Sequence, residues 1–239
     1  MKKKILEIKE RNLALEAVRV TEAAALSASS WIGLGDEKKA DAAAVKAMRE
    51  SLNALDIDGE VVIGEGERDK APMLFIGEKV GTKKGPKVDI ALDPLEGTTI
   101  CATGGNNALT VIAFSEKGGF LNAPDVYMDK IAIGGNLPKG IIDIDEEPEK
   151  NIKNLAKGLK KEVSDIVVCI LDRPRHEDII AKCRQAGARI MLISDGDVSG
   201  IIATANPDTG VDMYLGIGGA PEGVLAAAAL RCIGGQMQA

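Results

Sequence analysis

The stretch Ile166-Val-Val-Cys-Ile-Leu-Asp-Arg-Pro-Arg-His-Glu-Asp-Ile-Ile-Ala-Lys-Cys-Arg-Gln-Ala-Gly-Ala-Arg-Ile-Met-Leu-Ile-Ser194 holds an apolar run, a helical segment and a second apolar run in succession. Residues 166–171 are β-branched or aliphatic apart from one cysteine, 176–186 have helical spacing, and 189–194 turn apolar again. The order continues with a helix over 197–205, a strand over 211–215 and an Ala-rich helix over 221–233. Strands alternating with helices at this spacing predict parallel pairing and a layered α/β half, roughly residues 151–239.

Toward the N-terminus the pattern changes. Residues 150–161 read as a basic, amphipathic surface helix, and 121–145 as mixed strand and loop. Leu13, Ala17, Val20, Ala24 and Trp31 recur at near-helical spacing until Gly33 and Gly35 stop that helix. Asp36 is placed to N-cap a second helix with the apolar stripe Val45, Met48, Leu52 and Leu55. That stripe extends back one turn to Asp41, an acid that the helix dipole alone would also favour. Strands follow at 60–63, 88–93 and 108–114, so the first half, roughly 1–150, reads as α+β. With no repeat, low-complexity tract or linker, residues 1–239 are expected to form a single unit of two intimately packed halves.

Composition narrows the chemistry. Thirty Lys and Arg against thirty-six Asp and Glu give a net charge of −6 over 239 residues, which argues against a nucleic-acid or membrane-surface binder. One Trp, two Tyr and three Phe make a base-stacking platform improbable. No apolar run approaches the ~18 residues of a membrane span, and the charged start Met1-Lys-Lys-Lys is not followed by a signal-peptide core. Four Cys without a Cys-x-x-Cys spacing fit reduced thiols in a cytoplasm. The single histidine, His176, removes most His-dependent zinc and triad chemistry and reads as structural or solvent-exposed. Any enzyme built from this chain works with carboxylates.

Five places have an acid closing an apolar segment. In Asp93-Pro94-Leu95-Glu96-Gly97-Thr98 a strand delivers two carboxylates and a hydroxyl to its C-terminal end, where Pro94 is expected to stop ladder pairing. Ordinary turn chemistry accounts for this hexapeptide equally well when it is taken alone. Glu65, Glu67 and Asp69 follow a second strand, alternating with glycines so that several can face one side. Asp41 and Glu222 complete the set, the latter one residue after Pro221 at a helix start. Gathered carboxylates repel one another unless they protonate or bind cations. A site for several Mg²⁺ or Mn²⁺ ions is the economical reading, and it suits phosphate-ester hydrolysis by activated water.

Asp93-Pro-Leu-Glu-Gly-Thr98 resembles the Asp-Pro-x-Asp/Glu-Gly-Thr signature of the lithium-sensitive, Mg²⁺-dependent phosphatases. Val62-Ile-Gly-Glu-Gly-Glu-Arg-Asp-Lys-Ala-Pro-Met-Leu74, Leu121-Asn-Ala-Pro-Asp125 and Gly216-Ile-Gly-Gly-Ala-Pro-Glu-Gly223 are similar to the class II fructose-1,6-bisphosphatases of bacteria. The resemblance runs through essentially the whole chain. It implies a layered α/β/α/β sugar-phosphatase fold that hydrolyses the 1-phosphate of fructose 1,6-bisphosphate in gluconeogenesis. It implies metal ligands at Asp41, Glu65, Asp93, Glu96 and Glu222, with two or more Mg²⁺ or Mn²⁺ ions. Thr98 would activate water, with Asp69 assisting. Glu96, Gly97, Thr98, Tyr127, Arg173, Pro174, Arg175, Asp195, Gly196, Asp197 and Gly219 would line the substrate.

Residue chemistry is compatible with those roles and leaves alternatives. Arg173 and Arg175 offer planar forks to a phosphate, or form a solvated basic loop. Ionised Asp195 and Asp197 suit sugar hydroxyls, while turn formation and N-capping of the next helix are their other uses. Tyr127 fits a partly buried core position equally well. The family's chains continue past the Ala-rich helix, so this one is short at its C-terminus. Part of Leu225, Ala229 and Ile233 is therefore expected to lack cover, with a homo-oligomer or a loosely held helix as the result. Sedoheptulose-1,7-bisphosphatase activity and a non-catalytic sugar-phosphate or metal binder are the competing functions.

Overall fold

The computed structural model describes residues 8–64 and 74–239, which divide into two compact units at Asn122/Ala123. The order in the first unit is α1 (Ile8–Ser29), α2 (Glu37–Asn53), β1 (Asp58–Ile63), β2 (Lys79–Val80), β3 (Lys87–Glu96), α3 (Thr98–Thr103) and β4 (Leu109–Glu116). Asp36 caps α2 as expected, its carboxylate accepting the Lys39 N–H. Met48 and Leu52 of the apolar stripe are fully buried against Val20, Ala24 and Ala28 of α1 and against Ile90 and Leu92 of β3. Burial of each large side chain in such a core contributes about 1.5–3 kcal/mol.

The sheet of this unit has the order β2-β1-β3-β4. Strand β1 is parallel to β3, whereas β2 and β4 are antiparallel to their neighbours. Strand β3 does not end at Pro94. It continues to Glu96, which lies opposite Leu109 after a register shift between Asp93 and Glu96. The irregularity accommodates a residue with no N–H to donate, so proline bends the ladder here without terminating it. Gly33 and Gly35, which do stop α1, have left-handed backbones, and their N–H groups bond to the carbonyls of Cys101 and Ala102. The α1–α2 connection thereby fixes α3.

The second unit contains β5 (Tyr127–Gly134), α4 (Pro148–Leu159), β6 (Val167–Leu171), α5 (Glu177–Gln185), β7 (Arg189–Ile193), α6 (Asp197–Ala203), β8 (Met213–Gly219), α7 (Ala220–Ile233) and β9 (Gly235–Gln238). Its sheet runs β7-β6-β8-β5-β9. Parallel pairing joins β6 to β7 and to β8, as the alternation predicts, while β5 is antiparallel to both β8 and β9. Val168 and Ile170 of β6 pack with Ile152 and Leu155 of α4 and Ile180 of α5. On the opposite face α6 brings Gly200 against Cys169 and Tyr214. Helices therefore cover both faces of this sheet, and the chain is an α/β protein with two mixed sheets.

Three details differ from the sequence expectation. The division falls at residue 122 and not near 150, because β5 pairs with β8 and β9. Strand β8 (Met213–Gly219) runs on through the glycines past the 211–215 expected; Gly216, Gly218 and Gly219 all pair with β5. The C-terminal residues form β9, and Leu225 of α7 is buried while Ile233 remains 56% exposed.

Candidate active site

Asp93 and Glu96 come together at the C-terminal end of β3. Each offers a carboxylate oxygen within 4.8 Å of the other's, and Glu96 is buried. The backbone N–H of Leu95 donates to Asp93 Oδ1 at 2.9 Å, which holds that carboxylate over the irregular stretch. Gly97 follows with φ of 83°, a left-handed conformation that lets Thr98 begin α3 directly at the strand end. Thr98 is half-buried in that first turn. Asp41 lies in α2, where burial pushes its carboxyl up, and it does not complete a three-acid group with Asp93 and Glu96 at that spacing. Glu65, Glu67 and Asp69 lie outside the described residues.

In the second unit the expected residues cluster where β6 and β8 separate. These two strands pair only through Val168↔Met213 and Cys169↔Tyr214. Beyond that point side chains bridge the opening. His176 is fully buried, its Nδ1 donating to the Leu171 carbonyl at 2.7 Å and its Nε2 accepting the Ile217 N–H at 2.8 Å. Both ring nitrogens are thus committed, and the backbone partners assign the proton to Nδ1. Arg175 donates through Nε and one terminal nitrogen to the Ile217 carbonyl at 3.0 and 2.9 Å. Its guanidinium carbon lies 4.8 Å from the centre of the Tyr127 ring. Tyr127 is 67% exposed, so it is a surface platform and not a core residue. Arg173 pairs with Asp195 at 3.2 Å. Pro174 opens a short 3-10 turn between the two arginines.

Gly196, again left-handed, is the N-cap of α6, so the capping position falls one residue before Asp197. Asp197 itself is buried and forms an ion pair through Oδ2 with the fully buried Lys130 at 2.6 Å. Lys130 is the functional candidate that composition and motif reading missed. Its signal lay in the alternation of β5, where Lys130 shares a face with Met128 and Ala132, opposite to Ile131 and Ile133 of the core.

Glu222 stands in the first turn of α7 after Pro221. Its Oε2 is buried and has no hydrogen-bond partner. Burial pushes this carboxyl up, the residue's own backbone N–H and then the Lys130 ammonium draw it down, and Asp197 and Asp125 oppose that. A side chain on Gly219 would overlap Oε2, so glycine leaves room for the carboxylate to fold back over the strand end. An unsatisfied buried carboxylate oxygen, and carboxylates with neither thiol nor free imidazole beside them, fit a hard divalent cation.

Residues 11–239 match the family model of bacterial fructose-1,6-bisphosphatase, glpX-encoded. The class 2 fructose-1,6-bisphosphatase of Haemophilus influenzae is 52% identical over 229 residues, which make up 96% of this chain and 68% of that protein. Fructose-1,6-bisphosphatase 1 class 2 of Escherichia coli K12 is 53% identical over 227 residues, 95% of this chain and 67% of that one. A Synechococcus protein named D-fructose 1,6-bisphosphatase class 2/sedoheptulose 1,7-bisphosphatase is 48% identical over 241 aligned residues, 96% of this chain and 69% of its own. The chain thus spans about two thirds of the length of these relatives.

Proposed function

Because the chain belongs to the family of bacterial, glpX-encoded fructose-1,6-bisphosphatases, we propose how its residues share the hydrolysis of fructose 1,6-bisphosphate to fructose 6-phosphate and phosphate. Asp41, Glu65, Asp93, Glu96 and Glu222 would hold the metal on which this family's chemistry depends, as two or more Mg²⁺ or Mn²⁺ ions. Bound there, a divalent cation supplies Lewis-acid charge to the phosphoryl oxygens and makes water more acidic. The Thr98 hydroxyl, fixed in the first turn of α3, orients the attacking water and takes part in moving its proton, with Asp69 assisting. Gly97 brings the backbone close to the transferred phosphoryl group.

Arg173 and Arg175 take the distant phosphate. Arg175 keeps guanidinium nitrogens for a ligand while stacked on Tyr127 and anchored to Ile217, and Asp195 orients Arg173. Pro174 rigidifies the turn between them, and Gly196, Asp197 and Gly219 shape the sugar side. The chain acts on a small sugar bisphosphate. Among the described residues no helix is long and apolar enough to cross a membrane. We place the enzyme in the cytoplasm and expect a homo-oligomer, with the exposed Leu15, Val18 and Leu26 of α1 among the candidate contacts.

The observation that carries the reading is the Asp93–Glu96 carboxylate pair with Thr98 opening the next helix. The test is release of phosphate from a panel of sugar bisphosphates with Mg²⁺ or Mn²⁺, before and after chelation. Turnover of fructose 1,6-bisphosphate that stops with excess EDTA supports it; undiminished turnover in EDTA refutes it. The second name of the Synechococcus relative makes sedoheptulose 1,7-bisphosphate the second substrate for the panel.

A further inference from the structure

Glu222 Oε2 is buried without a hydrogen bond although an ammonium group lies close by. That ammonium, Lys130 Nζ, is 3.1 Å from where a Cβ on Gly218 would sit and 3.7 Å from the corresponding point on Gly223. These two glycines flank the segment that carries Glu222. The four-carbon stem of a lysine is flexible, and a carboxylate in a low-dielectric pocket is its natural partner. Nζ nevertheless binds Asp197 Oδ2 at 2.6 Å, with both side chains almost wholly removed from solvent. Each charged group has its own glycine. A side chain on Gly218 would overlap Asp197, one on Gly219 would overlap Glu222, and one on Gly223 would crowd Met128 and Lys130 Cε.

We propose that Asp197 is a positioning residue that sequesters the Lys130 ammonium and so keeps the Glu222 carboxylate available for a divalent cation. A buried ion pair adds little stability over a well-packed apolar pair of similar volume, so stability alone does not explain this one. The buried Tyr214 hydroxyl also faces Asp197, so the carboxylate is held inside the unit from two sides. The inference rests on the reading of Glu222 as a metal ligand.

The test measures Mn²⁺ binding by electron paramagnetic resonance, without substrate, on the wild type, D197N, K130M/D197N and E222Q, with thermal melting in parallel. In D197N the released ammonium pairs with Glu222, and Mn²⁺ affinity falls by about tenfold or more, the effect of losing a close charge-assisted interaction. Removing the ammonium as well, in K130M/D197N, brings affinity back toward wild type. A merely structural pair would lower the melting temperature in D197N and leave Mn²⁺ affinity unchanged, which overturns the proposal. A double variant as weak as D197N overturns it too, because the rival ammonium is then gone. Should D197N not fold at the assay temperature, D197S reads the same quantity. Wild-type affinity in E222Q instead overturns the metal reading on which the proposal depends, whereas impaired E222Q beside unaffected D197N rejects the role of Asp197 alone.

Discussion

Glu222 folds back over the backbone of Gly219 so closely that any side chain at that position would overlap its carboxylate. Gly219→Ala should therefore displace Oε2 without touching the sheet pairing of Gly219 with Tyr127. The expected result is a folded protein whose Mn²⁺ affinity drops by about ten- to a hundredfold, the range seen when the support of a metal ligand is disturbed. Calorimetric Mn²⁺ titration, paired with a thermal melt, checks it; unchanged affinity would remove Glu222 from the metal site.

Asp93→Asn keeps an oxygen to accept the Leu95 N–H and removes only the charge. Hydrolysis of fructose 1,6-bisphosphate should fall by about a hundredfold or more, with the melting temperature little altered. Glu96→Gln should behave alike. Phosphate release at saturating Mg²⁺ is the measurement, and near-normal turnover in either variant would misplace the site.

Thr98→Ala separates chemistry from binding. Its hydroxyl acts on the attacking water, so kcat should fall by about a hundredfold while KM changes little. Thr98→Ser restores the hydroxyl and should recover most of the rate. A raised KM with unchanged kcat would assign Thr98 to ground-state binding.

Arg175→Ala removes the group stacked on Tyr127 and the bonds to the Ile217 carbonyl. KM for a bisphosphate should rise by about tenfold or more, the value of a charged hydrogen-bonding group, and rise less for a monophosphate that lacks the distant group. Arg173→Ala should act in the same sense. Steady-state kinetics on both substrates decide, and equal losses would place these arginines elsewhere.

Thiol chemistry offers a check on the fold itself. Cys101, Cys169 and Cys183 are buried, and Cys232 alone is exposed. Burial pushes the Cys169 thiol up to about 12 and the Cys183 thiol up to about 11, so neither forms thiolate near pH 8 in the native state. A disulfide-exchange reagent should titrate one thiol at pH 8 and all four in denaturant. Rapid modification of more than one in the native protein would contradict the packing around β6 and α5.

The helices and the parallel β6–β7 and β6–β8 pairs were legible in the sequence because apolar periodicity and capping residues agree there, as at Asp36 and along Val45, Met48 and Leu52. Strand β9 was not, since Gly235-Gln-Met-Gln238 has no apolar alternation. Side-chain amides secure it instead: Gln236 donates to the Leu137 carbonyl, and Gln238 bridges the Ile142 carbonyl and the Ile144 N–H. In the candidate site, the acids at 93 and 96 could be named from their strand end. The pairing of Asp197 with Lys130 could not, because they lie 67 positions apart and meet only through the tertiary packing of β5 and α6.

Because His176 is the only histidine in the chain, its ring protons give an unambiguous magnetic-resonance signal that needs no isotope label and no assignment by mutation. The ring is hydrogen-bonded to the carbonyl just before the arginine turn and to the amide of the residue whose carbonyl holds Arg175. An anion that pulls on Arg175 draws on the Ile217 carbonyl, one Cα away from the N–H that bonds Nε2. The molecule therefore carries its own spectroscopic reporter for occupancy of the arginine turn, one that responds to binding without requiring turnover.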